Sequence, residues 1–174
     1  MKGESSFEKL KEILDKFGSK ETGQICQNLL ALCFVDIGVL PSCIDVRNHE
    51  GIDIIIDDQN FGKIAIEVKT TSGSIINLGN KDYEGLDKYR KNGYIAVFAI
   101  LKIDRYGEWI FYEPWRKVKS LSVGQIYNSG KFKFAEMLND SFEKLLNDLF
   151  DDIMNFGCKF LDKKLKEMGL KYSG

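Results

Sequence analysis

The stretch that most constrains this chain is residues 49–71, HEGIDIIIDDQNFGKIAIEVKTT. Two runs rich in β-branched residues, 52–57 and 63–69, flank the polar segment Asp58-Gln59-Asn60-Phe61-Gly62. That is the composition of a β-hairpin with a five-residue connection. Strand side chains alternate between faces, so Ile52, Ile54 and Ile56 share one side while Asp53, Ile55 and Asp57 share the other. In the second run Ile64, Ile66 and Val68 face one way, with Ala65, Glu67 and Lys69 facing the other. A hairpin symmetric about Asn60 sets Asp53 opposite Glu67 and Gly51 opposite Lys69. Directly opposed Cβ atoms lie about 4.5–5.5 Å apart. Two carboxylates at that spacing on an apolar hairpin repel, so a fold that keeps them needs a cation. Lys69 supplies one positive charge two residues from Glu67. A divalent metal would supply the rest, and Gly51 leaves space above the pair for a ligand.

Two carboxylates and a lysine on one face suit metal-assisted phosphodiester hydrolysis. Mg²⁺ takes hard oxygen ligands, usually one or two carboxylates completed by waters and substrate phosphate. Such an ion polarises a phosphoryl group and acidifies a bound water. A neighbouring lysine can orient that water or stabilise the charge that develops.

Gly51-x-Asp53, the hairpin, and Glu67-x-Lys69 behind Ile64-Ala65-Ile66 resemble the PD-(D/E)xK nuclease superfamily. That group includes restriction endonucleases, archaeal Holliday junction resolvases and RecB-type exonuclease domains. Ile52 stands where the superfamily's name has proline, and Gly-x-Asp is a common variant among RecB-like members. The resemblance implies an α/β fold of restriction-endonuclease-like type, a mixed sheet with an α-β-β-β-α-β core. It also implies a Mg²⁺- or Mn²⁺-dependent endodeoxyribonuclease, with DNA favoured as the nucleic-acid partner. Asp53 and Glu67 would bind metal, the backbone carbonyl of Val68 would be a further ligand, and Lys69 would be catalytic. A helix before the hairpin often adds a glutamate in this superfamily. Glu21 is the only acidic residue in the first half of that helix and takes the role by resemblance, with Gln24 or Gln27 as alternatives. RecB-like nucleases carry Gln-x-x-x-Tyr where this chain has Gly85 and Tyr89; only the tyrosine matches. The alternative reading is a nuclease-like fold serving as a non-catalytic nucleic-acid-binding or assembly subunit.

Composition fits a single domain over residues 1–174, with a core at about 19–115 and a C-terminal helical extension at about 134–170. Hydrophobic residues make up 44% and aromatics 12%, enough for a substantial core. No apolar run approaches the roughly 18 residues that span a bilayer. The charged N-terminus is unlike a signal peptide, so a cytoplasmic protein without membrane association is expected. Cys26, Cys33, Cys43 and Cys158 show no C-x-x-C spacing and read as thiols in a reducing compartment; with one histidine, zinc is not expected. A net charge of −1 does not mark a general nucleic-acid binder, although phosphate contacts need only a local patch.

Helical spacing predicts a helix over 5–17 ended by Gly18, then a second from Ser19 to about 37 closed by Gly38, its later half buried. A turn at Pro41 and a short strand at 44–46 lead to the hairpin. His49 reads as a strand-end residue rather than a general base. Thr71 continues the Glu67/Lys69 face and could bond a phosphate. A helix over 81–92 would carry Lys88, Tyr89 and Arg90 toward a DNA backbone. Residues 94–103 form an apolar central strand and 108–112 a further strand. Residues 115–133 read as irregular. Helices over 134–149 and 153–168, one bent or two broken near Gly157, would serve packing and homodimerisation.

Overall fold

The computed structural model describes residues 4–47, 51–103, 107–114 and 116–173. The first helix, α1 (Glu4–Asp36), joins the two expected helices and leaves helical geometry only at Gly18 (φ 80°, ψ 173°). A 3-10 turn at Pro41–Cys43 leads into β1 (Ile44–Arg47), and the hairpin follows as β2 (Ile54–Asp58) and β3 (Gly62–Thr71). A short strand β4 (Ile75–Asn77), helix α2 (Asn80–Lys91), and strands β5 (Ile95–Lys102) and β6 (Trp109–Tyr112) come next. Beyond them lie β7 (Ser120–Ser122), helices α3 (Ala135–Phe156) and α4 (Cys158–Met168), and a last strand β8 (Lys171–Ser173).

The main sheet has the order β6-β5-β3-β2-β1-β8 and is mixed: β3–β5 and β1–β8 run parallel, the other neighbours antiparallel. With β4 set aside in a separate two-stranded sheet with β7, the order α1, β1, β2, β3, α2, β5 is the α-β-β-β-α-β order expected from the sequence. The parallel β3–β5 step needs a crossover, and α2 supplies it.

The hairpin register is the one symmetric about Asn60, with Ile54 opposite Ile66 and Ile56 opposite Ile64. Its connection is shorter than five residues because Asp58 and Gly62 pair within the ladder. Buried Asp58 enforces that turn. Its Oδ1 accepts from the amides of Asn60 (2.8 Å) and Phe61 (3.0 Å), and its Oδ2 from the amide of Leu40 (3.2 Å). Asp58→Ala would leave those donors unsatisfied, and an expected loss of about 2–4 kcal/mol should appear in a urea melt.

Ile52 departs from the expected alternation. Ile54 and Ile56 pack with α1, but Ile52 joins Ile55, Tyr83 and Leu86 under α2. The strand begins only at Ile54, so period-two alternation does not reach back to Ile52. Gly85 makes this possible: a Cβ there would sit 3.3 Å from Ile52 Cδ1.

The sheet is therefore covered on both faces. One core layer joins α1, α3 and α4 to Ile44, Ile54, Ile66, Val97 and Trp109; the other joins α2 and β4 to Ala65, Phe98 and Ile100. Burying an aliphatic side chain is worth roughly 1.5–3 kcal/mol, so the two layers hold the sheet rigid beneath any site on it. The helical extension packs on α1, its break falling at Gly157 (φ 66°, ψ −150°). Two pairings were not legible in advance. β8 adds to the β1 edge, and β4 pairs with β7 inside the stretch expected to be irregular. Among the described residues no helix is long and apolar enough to cross a membrane.

Candidate active site

Asp53 sits where the chain enters β2 and is tied to both neighbouring strands. Its amide donates to Ile66 O (3.0 Å), its carbonyl accepts from Arg47 N (2.9 Å), and its Oδ2 accepts from Val68 N (2.7 Å). These bonds fix the carboxylate against β3, where Glu67 and Lys69 share the α2-facing side with Ala65. Glu67 is only 7% exposed; its Oε2 receives no N–H or hydroxyl donor among the described residues, and its carboxyl shares a hydrogen bond with that of Asp53. Gly51 (φ 122°) has open space where a Cβ would stand, as expected above the pair.

The two carboxylates form the floor of an open cleft of about 920 Å³. One wall comes from α1, through Lys20, Gln24 and Gln27; the other is the start of α2, Gly79 to Asp82. Gly23 lets α1 come this close: a Cβ there would lie 3.2 Å from Thr70 Oγ1 at the end of β3. Gln27 Nε2 donates to Arg47 O (3.0 Å), tying the helix to the sheet beside the cleft.

Lys69 Nζ lies 2.9 Å from Asp82 Oδ2 and 3.9 Å from Glu67 Oε1. Asp82 Oδ2 also accepts from the Gly79 amide (2.9 Å), a side-chain cap on the first turn of α2.

Burial pushes both carboxyl groups well above the usual carboxylate range. For Glu67 the negative charge of Asp53 raises it further, while Lys69 acts in the opposite sense. For Asp53, the Val68 amide and Lys69 offset part of the burial cost. Two such groups side by side are neutralised by holding a proton between them or by taking up a cation, and one lysine shared with Asp82 does not balance both charges.

A divalent ion fits this donor set. Glu67 Oε2 is a buried oxygen with no N–H or hydroxyl donor among the described residues, the Asp53 carboxyl stands within hydrogen-bond reach of Glu67, and the cleft is open to water and ligand. Among the described residues no group of three or more His, Cys, Asp or Glu side chains is placed to cage a metal. Calcium and zinc cages need more protein ligands than this; a two-carboxylate Mg²⁺ or Mn²⁺ site does not.

The other sequence-derived residues divide. Gln24 and Gln27 line the cleft, but Glu21 does not: its carboxylate lies against Gly157, where a Cβ would meet Glu21 Oε2 at 2.6 Å. The helical turn that faces Gln24 and Gln27 to the sheet end carries Glu21 toward α3 and α4. Thr71 is also turned to a local task, its Oγ1 accepting from Gly73 N (3.0 Å). Arg90 is committed to the fold: it pairs with Asp87 (2.8 Å) and Glu113 (3.4 Å) and donates to Ala96 O (3.3 Å). Tyr89 stacks edge-on against Tyr94, ring centroids 5.1 Å apart. Exposed Lys88 borders a separate depression with Lys91 and Lys117. Val68 gives its amide to Asp53. His49 lies outside the described residues. Sequence reading missed Lys20, Lys81 and Asp82. The pattern Gly79-x-x-Asp82 at a helix start is a capping signal that could have placed Asp82 at the cleft.

No protein-family model matches the chain, and no curated protein matches it. Among solved structures it is similar to the Holliday junction resolvase Hjc of Archaeoglobus fulgidus, at 21% identity and a TM-score of 0.37. That similarity covers 52% of this chain and 86% of the resolvase.

Proposed function

We propose that this protein is a divalent-metal-dependent nuclease of the PD-(D/E)xK type that hydrolyses phosphodiester bonds in DNA. The observation that carries the reading is the Asp53–Glu67 pair, two carboxyl groups buried side by side at the floor of an open cleft, with no N–H or hydroxyl donor to Glu67 Oε2 among the described residues. Such a pair is neutralised either by a shared proton or by a bound cation, and the open cleft above it gives a cation access.

Asp53 and Glu67 would hold Mg²⁺ or Mn²⁺, with the Val68 carbonyl as a further ligand. The bound ion would polarise the phosphoryl oxygen and acidify a water. The bonds of Asp53 to Ile66 and Val68 of β3 keep the two carboxylates at fixed separation, so little reorganisation would accompany reaction. The Lys69 ammonium donates hydrogen bonds to the attacking water or to charge gathering on the phosphoryl oxygens. Lys20 and Lys81 at the cleft walls suit backbone phosphates, and Gln24 and Gln27 can donate to them as well.

The test is incubation with labelled linear, circular, single-stranded and branched DNA in Mg²⁺, Mn²⁺ or chelator, beside Lys69→Ala. Metal-dependent cutting that falls roughly 10²-fold or more in the variant is expected. DNA binding without cutting by the wild type would favour a non-catalytic binding subunit, and neither binding nor cutting would sink the nuclease reading.

A further inference from the structure

Lys69 does not rest on Glu67, the carboxylate two residues away on its own strand face. It reaches across to Asp82 on α2, 2.9 Å against 3.9 Å. Asp82 is itself held, because the oxygen that takes the ammonium also takes the Gly79 amide at 2.9 Å. The start of α2 is fixed in turn by Leu78 N donating to Lys119 O (2.8 Å) and Tyr83 OH to Val118 O (2.6 Å). A rigid acceptor therefore stands beside Lys69, the lysine that shares the strand face of Glu67.

Without that acceptor, the nearest carboxylate to the ammonium is Glu67 itself. An ammonium seated there would occupy the face a divalent cation must approach. We propose that Asp82 is a positioning residue that holds Lys69 off Glu67, keeping the Asp53–Glu67 pair open to a divalent cation and Lys69 aimed into the cleft. This deepens the nuclease reading and rests on it.

Binding of Mn²⁺ alone, followed by titration calorimetry, separates the possibilities without any nuclease assay. Asp82→Asn keeps an oxygen for the Gly79 amide and removes the charge that holds Lys69. It is expected to weaken Mn²⁺ binding roughly tenfold, the scale on which partners of a ligand shell act. In a Lys69→Met background the same substitution should change affinity less than about twofold, since no ammonium is left to displace. Asp82→Glu should recover most of the wild-type affinity. An equal loss in both backgrounds would mean that Asp82 acts through its own charge, and no loss in either would mean that it does not act; each overturns the proposal. Should Asp82→Asn not fold, Asp82→Ser, neutral and still carrying an oxygen acceptor, takes its place in the same two backgrounds with the same expected outcomes. Wild-type protein that takes up no Mn²⁺ would remove the metal-site reading itself, whereas uptake with a failed cycle removes only the role of Asp82.

Discussion

Glu67→Gln is expected to cut DNA roughly 10³-fold more slowly than wild type and yet, in chelator at pH 8, to unfold at a higher temperature. The rate loss follows from removing one of two carboxylates that would bind the ion, an interaction worth several kcal/mol in the transition state. The gain in stability has a separate origin. Gln fills nearly the same volume and is neutral at every pH, so the variant avoids the free energy that metal-free wild type spends at pH 8 on holding the Glu67 proton, or on burying its charge beside Asp53. About 1–3 kcal/mol is at stake, or roughly 3–10 °C for a chain of this size. The pH dependence has a definite sign. In the metal-free fold Asp53 keeps its proton up to about pH 6 and Glu67 keeps its own past neutrality, whereas the unfolded chain releases both near the ordinary carboxylate value. Metal-free wild type should therefore lose stability as pH rises from about 4, the ordinary carboxylate value, through neutrality. The variant should show a shallower slope over the same window. A Glu67→Gln protein that melts lower than wild type in chelator would show that the carboxylate is a structural partner rather than an unsatisfied one.

Gly157→Ala should cost about 2–4 kcal/mol, read as a fall in the urea midpoint without a change of slope. The backbone there (φ 66°, ψ −150°) lies in a region that side-chain-bearing residues hardly enter. A Cβ would also stand 2.6 Å from Glu21 Oε2 and 3.0 Å from Phe17 Cε1. The carboxylate can swing aside; the ring and the backbone cannot. Glu21→Ala in the same chain should recover only a small part of the loss. Because α3 and α4 meet at this residue and both rest on α1, strain at Gly157 reaches the helix that walls the cleft. A change under about 0.5 kcal/mol would contradict the close approach of these elements.

The hairpin was legible because its information is local. Period-two alternation and a turn-forming segment fix the register, which brings Glu67 and Lys69 beside the entry to β2, where bonds to Arg47, Ile66 and Val68 hold Asp53. Ile52 was misassigned because alternation holds only inside a strand, and the sequence does not mark where the ladder starts. Glu21 was misplaced for a related reason. A helix shows which residues share a stripe, but which stripe faces the sheet end depends on Gly23 against Thr70, a contact between distant segments. That same contact put Gln24 and Gln27 into the cleft. Asp82 escaped notice because its importance is tertiary, lying in the 2.9 Å reach of Lys69 across to a different element. β4, β7 and β8 are three-residue strands whose pairing partners are far away in the chain, and so short a run carries no periodicity to read.

The most direct measurement is X-ray diffraction from crystals grown with MnCl₂, collected where manganese scatters anomalously. The expected map has a peak within coordinating distance, about 2.2 Å, of both the Asp53 and Glu67 carboxylates. A peak held by other residues, or none in a protein saturated with Mn²⁺, would contradict the carboxylate pair as a cation site and with it the proposed chemistry.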